Sequence, residues 1–125
     1  MTIETIQNEF EKWVSAIDTC DVDTVLELYA EASVLLPTLS NEVCTNAESK
    51  ARYFTHFLSK EPKCTLVESH MTWLEEGKSA SHSGLYQFLL KDGSVADARF
   101  TYVHQKQVDG WEIIAHHSSL LPQKS

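Results

Sequence analysis

Residues 84–122 read GLYQFLLKDGSVADARFTYVHQKQVDGWEIIAHHSSLLP, and this stretch decides the fold. Three runs rich in aromatic and β-branched residues are separated at Asp92-Gly93 and Asp109-Gly110. An Asp-Gly pair between such runs is a strong hairpin signal. A further break at Glu76-Gly77 sets off another β-type run that starts at Lys63. Four successive strands in an antiparallel meander are the simplest outcome. The run from Ser94 to Val108 is longer than an ordinary strand, and strands of that length bend or carry a bulge, so the sheet is expected to be strongly curved.

Upstream, the period changes from two to 3.6. Ile3, Ile6, Phe10, Trp13, Val14 and Ile17 recur at helical spacing behind Thr2, a candidate N-cap, and the helix stops near Cys20. Asp21 can cap a second, shorter helix with Val22, Val25, Leu26 and Tyr29 inward. The brief run SVLLPT, closed by Pro37, reads as a strand. Thr45 and Glu48 have capping-box spacing for a third helix, with Ala47, Ala51, Phe54, Phe57 and Leu58 inward, closing before Pro62. Helices first and sheet second is the α+β order.

Length and charge bound the function. The chain has 125 residues, enough for one domain with a real core, and one domain over residues 1–125 is expected. A formal charge of −8, with no concentration of the 10 Lys and Arg, would be repelled by a phosphate backbone or an anionic membrane, so neither partner is expected. Acidic residues where a signal peptide wants positive charge, and no apolar run of bilayer length, give the expectation of a soluble, cytoplasmic protein. Cys20, Cys44 and Cys64 are odd in number and widely spaced, and read as reduced thiols in or near the core.

The order of elements, together with YFTHFLSKEP, GLYQF, ARFTYV and DGWEIIAHHSSLLP, resembles the nuclear transport factor 2-like superfamily. The C-terminal half is most similar to the association domain of calcium/calmodulin-dependent protein kinase II and to small SnoaL-like bacterial proteins. The resemblance implies a cone-shaped, cystatin-like α+β fold with three N-terminal helices packed on a strongly curved antiparallel sheet around a cavity. It does not decide function, because the superfamily includes isomerases, cyclases, dehydratases and pure oligomerisation hubs. It also implies arginines on the cavity side where this chain has Gly84, Tyr102 and Ser118, so the cationic pocket of the kinase domain is missing.

The faces of the strands can be sorted from hairpin geometry. Three-residue loops, Lys91-Asp92-Gly93 and Val108-Asp109-Gly110, would pair Ala98 with Tyr86 and Tyr102 with His116; two-residue loops would change these partnerships. Alternation then puts Tyr86, Phe88, Phe100, Tyr102, His104, Ile114, His116 and Ser118 on a cavity face. Leu85, Gln87, Arg99, Thr101, Val103, Ile113, His117 and Ser119 fall on the other. Tyr86, Tyr102, His116 and Ser118 are the expected ligand-binding groups, with His70 and Tyr53 added on weaker grounds. Arg99, Gln87 and His117 are expected in a homodimer contact, since their face is neither a core nor a free surface.

Six histidines raise the question of a metal, but His116 and His117 point to opposite faces and no helical HxxxH is present; neither metal nor cofactor is expected. The leading reading is a small-molecule-binding, self-associating domain with an aromatic cavity. The alternative is a SnoaL-like isomerase, cyclase or dehydratase acting on a carbonyl compound, with His116 as base and Tyr86 or Tyr102 as electrophile. No carboxylate is plainly placed to serve it: Asp97 falls on the far face, Glu112 near a strand start and Asp18 at a helix end.

Overall fold

The computed structural model describes residues 2–122. Helix α1, Glu4–Asp18, buries Ile6, Phe10, Trp13 and Ile17, the stripe that the 3.6 period marks. Its N-cap position is Ile3, without a side-chain cap, so Thr2 does not play that role. Helix α2, Val22–Leu26, is capped as expected, Asp21 accepting from the Thr24 N–H at 3.1 Å. The turn between them carries Cys20, exposed at φ 56°, whereas Cys44 is buried and Cys64 half-buried; Cys20 is therefore not a core thiol.

Strand β1 runs Tyr29–Leu36 and ends at Pro37, which has no N–H for a ladder. Helix α3, Ala47–Leu58, starts one residue later than Thr45 and Glu48 imply. Asn46 accepts from the Ser49 N–H at 2.8 Å and Ser49 Oγ takes the Asn46 N–H, which completes the capping box. Glu48 instead lies exposed beside Arg52, at 3.6 Å. Ala47 is exposed, and Lys50 takes an inner position from which its Nζ reaches the Glu31 carbonyl at 3.4 Å. That carbonyl belongs to the part of β1 that leaves the ladder between Tyr29 and Val34.

The meander is present: β2 Lys63–Glu75, β3 Ser79–Leu89, β4 Val95–Gln107 and β5 Gly110–Leu120. The sheet order is β1-β5-β4-β3-β2, and β1 lies parallel to β5, so the sheet is mixed rather than wholly antiparallel. The β3–β4 hairpin has the expected three-residue loop, with Leu90 and Ser94 bonded across it and Gly93 at φ 88°. The β4–β5 hairpin does not. Gln107 pairs with Gly110, leaving only Val108-Asp109 in the loop, a register that alone would set Tyr102 opposite Ala115. A bulge at Ile114 restores the missing residue, so Tyr102 does face His116, and Ile113 rather than Ile114 is buried.

A second bulge falls at Val67, between Leu66↔Tyr86 and Glu68↔Leu85. It reverses the phase of β2 as far as Trp73, after which a further shift before Glu75 reverses it again. All three helices lie on one side: Phe10 stacks on Phe100, and Trp13 on Tyr86, with ring centroids 5.7 and 6.0 Å apart. On the other side, the outer face of the sheet, Leu85, Thr101, Val103 and Ala115 are half-buried and Arg99 and His117 exposed; no described residue there is fully buried.

Candidate functional site

Under α1 the inner face of the sheet carries a buried chain of hydrogen bonds. Trp13 Nε1–H donates to the Tyr29 hydroxyl at 3.1 Å, and that hydroxyl lies 2.7 Å from His116 Nδ1. His116 Nε2 is 3.2 Å from the Tyr86 hydroxyl, which donates to Ser118 Oγ at 2.5 Å; Ser118 meets Thr38 Oγ1. An indole can only donate, so the Tyr29 hydroxyl accepts from Trp13 and keeps its own O–H to donate to Nδ1. Tyr86 spends its proton on Ser118 and therefore accepts from Nε2–H. Both ends of the chain assign the same neutral Nε2–H tautomer to His116.

Electrostatics agrees with that assignment. Burial, then the neighbouring His104 and His117, pushes the His116 pKa down to about 3. Burial likewise holds the Tyr29 and Tyr86 phenols far above their ordinary range, so neither ionises near neutrality. The Tyr102 ring stacks on His116 with centroids 4.0 Å apart, but its hydroxyl has no partner among the described residues. His82 and His104, stacked on the same tyrosine, are both pushed to about 4 by burial, and His82 bonds Ser69 Oγ at 2.6 Å.

Four expected ligand groups thus converge: Tyr86, Tyr102, His116 and Ser118 are all buried on one face. Tyr53 is half-buried on α3, stacked on Phe57, and lines the same void. His70 does not join them. The bulge at Val67 sets it opposite Ser83 on the outer face, where its Nε2 bonds Glu68 at 2.7 Å. Sequence reasoning missed Tyr29 and Thr38. Tyr29 was legible as an inward residue but on a helix, and Thr38 lies past Pro37, where no alternation remains to place it.

The void bounded by Thr38, Tyr53, Phe57, Tyr86, His116 and Ser118 is small, about 10 Å³ of space for the centre of a water-sized sphere. That is room for one water at most. No carboxylate lines it, Asp97 being held on the outer face by Gln87 Nε2 at 2.7 Å. Among the described residues, no group of three or more His, Cys, Asp or Glu is placed to hold a metal. No described helix is long and apolar enough to cross a membrane.

The network stands or falls with Tyr29. Tyr29→Phe leaves the Trp13 N–H and His116 Nδ1 buried without partners, and its expected cost is about 2 kcal/mol. Urea denaturation of the two proteins checks it; an unchanged midpoint would mean that water replaces the hydroxyl.

The sequence matches the family model of the calcium/calmodulin dependent protein kinase II association domain over residues 3–122. The chain belongs to this family. A solved structure from Xanthomonas campestris, provisionally named as such an association domain, is 39% identical and superposes with a TM-score of 0.90, covering 95% of this chain and 87% of that one. Two more distant structures share the nuclear transport factor 2-like, cystatin-like fold. A provisionally named dehydratase of the nuclear transport factor 2-like family from Streptomyces avermitilis has 16% identity, a TM-score of 0.82 and coverage of 97% and 96%. A ketosteroid isomerase-like protein from Erwinia carotovora atroseptica has 14% identity, a TM-score of 0.75 and coverage of 97% of each chain. No curated protein matches.

Proposed function

We propose that this association-domain protein works by pairing with copies of itself through the outer face of its sheet, as a homodimer. The observation that carries this reading is the face itself. Five strands present Leu36, Leu85, Val103 and Ala115 among hydroxyls and a few charges, and no helix of the described chain covers it. Mixed apolar and polar faces of this kind suit a subunit contact. Arg99 and His117 lie on that face, as does Gln87, whose bond to Asp97 leaves it at the rim.

Small-molecule binding in the inner cavity has less support. A ligand larger than a water would have to displace Tyr53 or Phe57, and the polar groups it would meet already satisfy one another. Acid–base chemistry has less again. A general base works best with a pKa near the working pH, and His116, pushed to about 3 with both ring nitrogens engaged, is far from it.

Light scattering on the wild type and on Leu85→Glu tests the contact. The wild type is expected to elute as a dimer or a larger even-numbered assembly, and the variant to dissociate while keeping its circular dichroism. A wild type that is monomeric at every concentration at which it stays soluble would overturn the reading.

A further inference from the structure

A groove of about 350 Å³ opens between α2, β1 and α3. Leu26, Ala30 and Ala47 give it apolar walls, and Glu31 and Glu112 bring two carboxylates to it. The remaining charged group is Lys50. None of these residues belongs to the proposed subunit contact, so the groove and the contact stand separately.

Lys50 differs from the other lysines of the chain. It is 2% exposed, whereas the side chains of Lys12, Lys63 and Lys78 are 63%, 63% and 73% exposed. Among the described residues no carboxylate comes within ion-pair distance of its Nζ. Its bond to the Glu31 carbonyl is 3.4 Å long, past the usual limit of about 3.2 Å. An ammonium buried and held so loosely bears a desolvation cost that little offsets, and loss of its proton relieves that cost. Burial accordingly lowers the Lys50 pKa from its ordinary value, with Cys44 opposing the shift. A neutral amine in the wall of a groove is a nucleophile rather than a charge.

We infer that the groove takes a small uncharged aldehyde or ketone, which Lys50 captures as a Schiff base. The Nζ lone pair attacks the carbonyl carbon, an N–H proton passes to the oxygen, and the resulting carbinolamine loses water to leave a C=N bond; no oxidant or reductant takes part. Leu26, Ala30 and Ala47 suit a short alkyl chain on the carbonyl compound. Glu31 and Glu112 repel a compound that carries its own carboxylate, and they favour the imine in its protonated, cationic form.

Reductive trapping with butanal and cyanoborohydride at pH 7, followed by peptide mapping of the full chain, tests it. An exposed lysine is deprotonated in fewer than about one molecule in a thousand at that pH, so Lys50 is expected to be alkylated first, about tenfold or more faster than Lys12, Lys63 or Lys78. Glyoxylate, an aldehyde beside a carboxylate, should label Lys50 without that advantage over the exposed lysines. Ala47→Leu, which narrows the groove from an exposed position and leaves Lys50 in place, should slow the reaction of Lys50 with butanal severalfold while circular dichroism is unchanged. Labelling of Lys50 by butanal no faster than that of the exposed lysines, or at the same rate in Ala47→Leu, would overturn the capture site. Glyoxylate labelling Lys50 with the same advantage as butanal would overturn the preference for an uncharged compound.

Discussion

Between pH 7 and pH 5 the protein is expected to lose about 6 kcal/mol of stability, close to 2 kcal/mol for each of three buried histidines. His82, His104 and His116 are 0%, 2% and 4% exposed. Burial depresses their pKa values to about 4, about 4 and about 3. In the unfolded chain a histidine takes a proton near pH 6.5, so below that pH the unfolded state binds more protons than the folded one, and stability falls as pH falls. The contribution is complete above about pH 7 and is spent as the pH passes from 6.5 down to about 4. A loss of that size rivals the whole stability of a marginal domain. Circular dichroism across a pH series should therefore show unfolding near pH 5, above the range in which carboxylates protonate. His104→Leu, which removes a ring nitrogen without a partner among the described residues, should move the transition to lower pH. A wild type still folded at pH 4 would sink the account.

The second large effect is expected from a single methyl group. A Cβ built on Gly84 would lie 1.9 Å from the carbonyl oxygen of Glu68 and 2.8 Å from its carbon. Those are backbone atoms just past the Val67 bulge, and they cannot swing aside as a side chain would. Gly84→Ala must push β2 away from β3, at about 3 kcal/mol or more, the upper end of overpacking costs. Thermal melting measures it. Gly77→Ala, at a position where a Cβ meets nothing within 4 Å, is the control: its φ of 73° carries backbone strain but no collision, and a loss from Gly84→Ala no larger than this would rule out the clash.

The same glycine shows what the sequence could and could not display. The meander, the helix stripes and the pairing Tyr86↔Ala98 were legible because each rests on local chemistry, Asp-Gly turns, apolar periods and alternation, whereas Tyr102↔His116 agrees with the expected pairing only because the bulge at Ile114 offsets a loop one residue shorter than expected. Bulges are not legible in that way. The one at Val67 carried His70 to the outer face, and the one at Ile114 exchanged the places of two isoleucines while the pairing beyond it came out as expected. An extra residue in a strand has no residue type of its own, and it announces itself only through packing with a partner strand. The parallel edge pair escaped for a related reason, since β1 meets β5 across most of the chain length. The site was half visible. Tyr86, Tyr102, His116 and Ser118 followed from alternation, whereas Tyr29 and Thr38 enter it from β1 and the loop beyond, whose position the sequence did not reveal.

Trp13 has a consequence beyond its packing. A closed ring of hydroxyls can circulate its protons in either sense and keeps both senses populated. A line that begins at an indole cannot, because its first member has nothing to accept with. From Trp13 through Tyr29, His116 and Tyr86 to Ser118 every proton has one place, so this polar core is as singly ordered as an apolar one. Trp13 and the four polar side chains beneath its helix are thus folded away without the degeneracy that buried hydroxyls usually bring.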